Sequence, residues 1–149
     1  MKKIGILLYL ALLLLSCGDA VKVELKSTDK SQEKIAEQMF GYFNKHEWDK
    51  MAEMYTDSAL FLDPSLGTQK VFQSKQQIIQ KYTALQNVFP DIRDSIIHIF
   101  PSGNDIVTIE FISKGTAADK SVFELPICAV LKIVDGKIVE DHTYYNNAP

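Results

Sequence analysis

The hydrophobic period of this chain changes once, near Pro90, and that change restricts the possible folds more than any other feature of the sequence. Before it, apolar residues recur at three- and four-residue steps, the spacing that lines up one face of a helix. Over residues 31–45 the recurring positions are Ile35, Ala36, Met39, Phe40, Tyr42 and Phe43, with Ser31 placed to cap the helix. A short second helix is predicted over 47–55, burying Trp48, Met51, Ala52 and Tyr55. A third starts at Ser74, whose spacing to Gln77 matches a capping box. It carries Ile78, Ile79, Tyr82, Leu85 and Val88 and ends at Pro90. After Pro90 the period is two. Residues 92–100, 106–114, 121–134 and 137–145 read as strands, separated by turn signals around Gly103, Gly115 and Asp135-Gly136. An earlier strand-length run, 59–62, stops at Asp63-Pro64, where proline has no amide to donate. Three helices leading into hairpin-linked strands specify an α+β domain. A strongly curved antiparallel sheet is expected to wrap the helices and leave a pocket between them.

The N-terminus follows a different logic. Met1-Lys2-Lys3 precedes an uncharged run from Ile4 to Ser16 and then Cys17, the charged, apolar and small-residue order of a secretory signal. The run is shorter than the ~20 residues a membrane-spanning helix needs. Leu14-Leu15-Ser16-Cys17 resembles the lipobox of bacterial lipoproteins, which implies cleavage before Cys17 and acylation of its thiol and new amino group. The expected organisation is a signal peptide over 1–16, lipidated Cys17 with a polar tether over 17–30, and one domain over 31–149. That places the protein in the cell envelope, anchored to a bacterial membrane on its periplasmic or surface side, each buried methylene of the lipid contributing about 0.8 kcal/mol. Loss of Lys2 and Lys3 leaves 14 basic side chains against 19 acidic ones, which argues against a nucleic-acid partner. With Cys17 lipidated, Cys128 has no partner for a disulfide within the chain, and inside the apolar run 125–131 it reads as a small buried hydrophobe.

Four segments point to a family. They are Phe43-Asn44-Lys45-His46-Glu47-Trp48-Asp49 between the first two helices, Ala59-Leu60-Phe61-Leu62-Asp63-Pro64, Phe89-Pro90-Asp91, and the closing stretch from Asp135-Gly136 to Tyr144-Tyr145-Asn146. In that order, over about residues 33–146, they resemble the SnoaL-like branch of the NTF2-like superfamily. The resemblance implies the cone-shaped α+β fold of polyketide cyclases, ketosteroid isomerases and limonene epoxide hydrolases, three N-terminal helices packed on a strongly curved sheet. Such cones host enzymes, ligand binders and assembly modules alike.

Leu62-Asp63-Pro64 resembles the isomerase segment whose aspartate shuttles a proton, which implies Asp63 as a general base. An aspartate before Pro64 and Gly67 also has the simpler role of ending the strand and capping a turn, which is the favoured reading. By the same resemblance, the positions that supply the isomerase's oxyanion donors hold Met39 and Ala129, whose side chains donate nothing. The acid of the epoxide hydrolases aligns with Thr143, and Asp141 lies on the same strand face by period two. Tyr42, Tyr55, Tyr82 and Tyr145 are the phenols expected near a pocket, since a buried hydroxyl seeks a partner. His98 and Glu110 join this ligand-binding set if their strand faces turn inward. His46, His98 and His142 lie apart without metal-ligand spacing, so neither a metal nor another cofactor is expected. The expected function is non-catalytic binding of a small apolar or amphipathic ligand, with an isomerase, cyclase or hydratase using Asp63 as the alternative. A homodimer through an apolar sheet face of Ile97, Ile99, Val107, Ile109 and Phe111 is the expected mode of assembly.

Overall fold

The long period-two segments pair into a single sheet, and the alternation is regular in the two central ones, 106–116 and 122–134, whose buried positions fall two residues apart. The structure, a computed structural model, describes residues 31–146. The expectations for the signal peptide, Cys17 and the tether lie outside the described residues.

Helix α1 spans Ser31–Phe43, α2 Trp48–Ala52 and α3 Lys75–Val88. Strands β1 to β6 span Tyr55–Leu62, Val71–Ser74, Arg93–Ser102, Ile106–Thr116, Val122–Val134 and Lys137–Tyr144. The sheet order is β2-β1-β6-β5-β4-β3, with β1 parallel to β6 and every other neighbouring pair antiparallel. Bulges interrupt the β1–β6, β3–β4 and β5–β6 ladders, and each adds local bend and twist. The curled sheet presents its concave face to the helices, as the cone resemblance implies. The Ser74 hydroxyl accepts from the Gln77 amide and the Gln77 side chain accepts from the Ser74 amide, so the capping box at the start of α3 forms as read. Between β5 and β6, Asp135 and Gly136 turn with φ of +50° and +76°, the pair of positive angles a tight hairpin needs.

The core lies between α1 and α3 and the concave face. It joins Ala36, Met39, Phe40 and Phe43 of α1 and Ile78 of α3 to Phe61, Val107, Ile109, Leu131 and Ile138 from the sheet. Among the described residues no helix is long and apolar enough to cross a membrane.

The structure corrects four local expectations. The second helix stops at Ala52 rather than reaching residue 55, because β6 claims the chain: the Ile138 amide donates to the Met54 carbonyl and Tyr55 pairs with Ile138. Strand β2 escapes a pattern reading, being four residues long with Phe72 mostly exposed at the sheet edge. The five residues expected to form an outward apolar face divide. Val107, Ile109 and Phe111 are buried on the concave side and Ile99 packs against the core, leaving Ile97 exposed. Cys128 lies between inward Ile127 and Ala129 in the β5 alternation, half-buried on the convex side opposite Glu110, so it is not a core residue.

Candidate functional site

An apolar cavity of about 660 Å³ fills the mouth of the cone. Its walls are hydrocarbon for the most part, from Met39, Phe40 and Phe43 on α1, Leu85 and Val88 on α3, and Phe111, Phe123 and Ile127 on the sheet. The backbone of Gly115 makes room for two of the rings, since a Cβ there would lie 2.7 Å from Phe123 and 2.9 Å from Phe89.

Polar groups reach the cavity at two places. The first is where β1 ends beside β6. Here Asp63 accepts from the Ser65 amide at 2.8 Å, the Ser65 hydroxyl at 2.7 Å, the Tyr145 hydroxyl at 2.9 Å and the Lys81 ammonium. Burial pushes the Asp63 carboxyl up, but the Lys81 charge and hydrogen bond, with those from Ser65, outweigh it and hold the group below the usual carboxylate range. The Lys81 ammonium also lies 5.0 Å from the centre of the Tyr82 ring and 5.8 Å from that of Phe61. Beside this pair Asp141 accepts from the Tyr55 hydroxyl at 2.7 Å and the Thr143 hydroxyl at 2.9 Å. Burial raises the Asp141 carboxyl in spite of those bonds and of Lys81. Burial, with the Asp141 charge, sends the Tyr55 phenol well above its ordinary value.

The second place is the start of β3. Asn44 at the end of α1 clamps the Asp94 backbone, accepting from its amide at 2.7 Å and donating to its carbonyl at 2.8 Å. This fixes the Asp94 carboxyl against the cavity, where the residue is only 8% exposed. One carboxylate oxygen has no hydrogen-bond partner. Burial pushes the group up to about 7, against the pull of the Ser113 hydroxyl.

The arrangement holds and orients better than it abstracts. Asp63, with four donors of which one is a cation, is a stable carboxylate and a weak base. The kinship follows from the sequence match: the SnoaL-like domain family matches residues 36–141. The chain belongs to the SnoaL-like family. No curated protein is detectably similar to it. Among solved structures, the SnoaL-like domain resembles a protein from Catenulispora acidiphila with a ketosteroid isomerase-like fold, in complex with trimethylamine, at 16% identity and TM-score 0.68 over 76% of this chain and 86% of that one. It also resembles an NTF2-like protein from Anabaena variabilis, at 19% identity and TM-score 0.69 over 82% and 94% of the two chains. A third neighbour is IdmH, a putative polyketide cyclase from Streptomyces antibioticus, at 20% identity and TM-score 0.68 over 77% and 91%. At these identities the likeness establishes the fold.

The SnoaL-like domain brings Asp63, Tyr82, Asp141, Thr143 and Tyr145 together at the cavity, with Tyr55 directly behind Asp141. Asp63 does both things asked of it, capping the short 3-10 turn Pro64–Leu66 and facing the cavity. Met39 and Ala129 line the cavity without a donor, as the alignment by resemblance implied. Three expected residues lie elsewhere. Tyr42 sits on the flank of α1 and accepts from Gln38 at 2.9 Å near solvent. His98 and Glu110 face each other on the convex side at 3.1 Å, both exposed. The bulge after Ile96 causes the displacement of His98, because one extra residue reverses the alternation that Ile92 and Asp94 begin. His46 is engaged structurally: Nε2 bonds the Ile92 carbonyl at 2.8 Å and Nδ1 the Gln86 side chain at 2.9 Å. Among the described residues no group of three His, Cys, Asp or Glu side chains could hold a metal ion.

Sequence reasoning missed Asp94, Lys81, Ser65 and Ser113. Two of them carried a signal. Asp94 occupies the inward phase two residues after Ile92, and Lys81 sits three residues after Ile78 on the apolar stripe of α3. A charge on a buried face is the informative exception.

Proposed function

We propose that this protein is a cell-envelope lipoprotein, anchored through lipid on Cys17, whose SnoaL-like cone binds a small, mainly apolar molecule without catalysis. One observation carries the binding reading: the roomy apolar cavity contains a candidate base, Asp63, whose carboxylate is already satisfied by Ser65, Tyr145 and Lys81. Cavities of ~300–1,000 Å³ with apolar walls and few polar groups are the usual form of small-molecule sites. The trimethylamine complex of one structural neighbour is consistent with occupancy of such a cone.

The test uses the mature lipidated protein in phosphatidylcholine nanodiscs, titrated calorimetrically with the neutral probe 4-phenylbutanol against empty discs. Saturable binding is expected, and Ala129→Phe, which places a ring in the cavity, weakens it by about 100-fold. Binding that Ala129→Phe leaves untouched would locate the probe elsewhere and sink the reading. The anchor is tested separately by labelling cells with an alkyne fatty acid. The wild-type chain incorporates label and sediments with membranes, whereas Cys17→Ser incorporates none; equal labelling of both would remove the lipoprotein assignment.

A second reading, an isomerase, cyclase or hydratase acting through Asp63, draws on Asp141. Its raised carboxyl shares the cavity wall with Asp63 and is joined to the Tyr55 hydroxyl, a proton-transfer arrangement in outline. The putative polyketide cyclase among the neighbours is in keeping with it. Turnover of the β,γ-unsaturated ketone 5-androstene-3,17-dione, abolished in Asp63→Asn, would replace the binding reading with this one.

A further inference from the structure

The side chains lining the cavity are unbalanced in charge. They include three carboxyl groups, Asp63, Asp94 and Asp141, and one cation, Lys81, while Glu124 stands at the edge with its side chain exposed. Lys81 is paired with Asp63, Glu124 is paired at 2.8 Å with Lys114, and Asp141 is hydrogen-bonded by Tyr55 and Thr143. Asp94 is left with an oxygen that nothing satisfies, in a residue more than nine-tenths buried. A buried carboxylate without a partner is rare, because removing it from water is costly unless a donor or cation replaces the lost hydration.

The surroundings of Asp94 narrow the chemistry of what would complete it. From β4, Ser113 pairs with Asp94, and Phe111 follows two residues away on the same inward face, its ring edge-on to Phe40 at 4.8 Å. From α1 come Asn44, held on the backbone, and Phe43 at the cavity wall. From α3 comes Tyr82, whose phenol is raised by burial first and then by the charges of Asp141, Asp63 and Asp94. Among the described residues no cation pairs with Asp94. Its setting therefore combines a carboxyl oxygen without a partner, on a group that becomes an unpaired negative charge above about pH 7, with aromatic faces that attract positive charge.

Asp94 is also remote from the saturated cluster. It stands on β3 at one edge of the sheet, while Asp63 ends β1, four strand steps away. At ~4.8 Å per step that is ~19 Å along the sheet surface. The curl brings the two ends closer across the cavity, yet a ligand seated on Asp94 keeps its own polar contact and fills the apolar middle with its skeleton.

We infer that the ligand of this cavity is an organic amine, an apolar body bearing one ammonium group, with its nitrogen at the Asp94 carboxyl group and its skeleton against the surrounding rings. This rests on the binding reading above and deepens it by naming the ligand class. An ammonium supplies the missing donor and the missing charge together, and a charge-assisted hydrogen bond is about twice as strong as a neutral one. A neutral carbonyl ligand would need Asp94 protonated and would leave the excess of carboxyl groups unanswered.

The same nanodisc preparation is titrated with three probes of one skeleton, 4-phenylbutylamine, 4-phenylbutanol and 4-phenylbutyrate. At pH 8 the amine is expected to bind about 10-fold more tightly than the alcohol, and the carboxylate more weakly than either. The preference for amine grows between pH 6 and 8, as Asp94, held at about 7 by burial, gives up its proton while the amine stays charged. Asp94→Asn, nearly isosteric and still clamped by Asn44 through the backbone, brings the amine-to-alcohol ratio to about one. The pH profile of the unaltered protein keeps the inference testable should that variant fold poorly. If the alcohol binds and the amine shows no advantage, or the amine preference falls as pH rises, the amine assignment is overturned while the binding reading stands. If neither probe binds, both fall together.

Discussion

Lys81→Met is expected to destabilise the domain by about 3–5 kcal/mol, measured as urea unfolding at pH 7. The reason lies in the desolvation of its partner. The Asp63 side chain is 8% exposed and that of Lys81 19%, so the pair is largely out of water. Removing the ammonium leaves a buried carboxylate with the two Ser65 donors and Tyr145 but no countercharge. The pH dependence has a definite sign. The folded Asp63 carboxyl lies below its ordinary value of 3.8, so its contribution is present above that pH and is lost as pH falls through the folded value. In Lys81→Met that advantage is gone, burial raises the group instead, and the destabilisation shrinks on acidification as Asp63 takes up a proton. Adding Asp63→Asn to Lys81→Met should recover part of the loss, since the unpaired charge disappears with it. A loss below about 1 kcal/mol at pH 7 would mean that the pair behaves as a surface ion pair.

Asp94 should show the opposite dependence, with an effect of similar size. Its folded carboxyl is raised from 3.8 to about 7, so the folded state holds the proton more tightly than the unfolded chain. The associated stability is complete below the unfolded value, declines as pH rises from there, and is gone once pH passes the folded value near 7. A difference of about three units corresponds to up to about 4 kcal/mol. Asp94→Asn does not titrate. At pH 4 it is expected to be about 1–3 kcal/mol less stable than the parent, because one buried amide hydrogen lacks an acceptor. Relative to the parent it then gains up to about 4 kcal/mol between pH 4 and pH 8. Unfolding curves for both proteins at pH 4, 6 and 8, without ligand, test this. A constant difference across the three would show that Asp94 ionises as readily folded as unfolded. A residue that weakens the empty protein at neutral pH is what a binding site prepared for a cation is expected to contain.

Much of the architecture was legible in order of residues alone, for reasons local to each segment. The apolar stripe of Ala36, Met39, Phe40 and Phe43 specifies α1, because helix geometry alone brings those positions to one side. Ser74 and Gln77 specify the start of α3, because the capping box needs only atoms three residues apart. Asp135-Gly136 specifies the β5–β6 hairpin through the conformations those two residues tolerate, and the alternation of Val107, Ile109 and Phe111 specifies a strand with two faces, although the structure turns inward the face that was expected to be outward. Even Asp63, on Leu62-Asp63-Pro64, was identifiable as a cavity residue through its family resemblance.

Tertiary structure decided whatever depends on residues distant in the chain. Tyr55 has a helical spacing to Trp48, Met51 and Ala52, yet it enters β1, because pairing with Ile138 outweighs a weak local propensity. His98 turns outward because of a bulge, which an alternating sequence does not announce and which reverses every side chain beyond it. The Asp63 carboxylate is quenched by Lys81 from α3 and Tyr145 from the far end of the domain, 18 and 82 residues away. Asp94, the residue with an unpartnered oxygen, is held by Asn44 from 50 residues earlier. Sequence determines most of the elements and the alternation within them through short-range geometry, but not which face of a strand turns inward. Which carboxyl group is satisfied and which is left without a partner at the cavity wall is settled by the curl of the sheet, which brings separate strands and helices around one space.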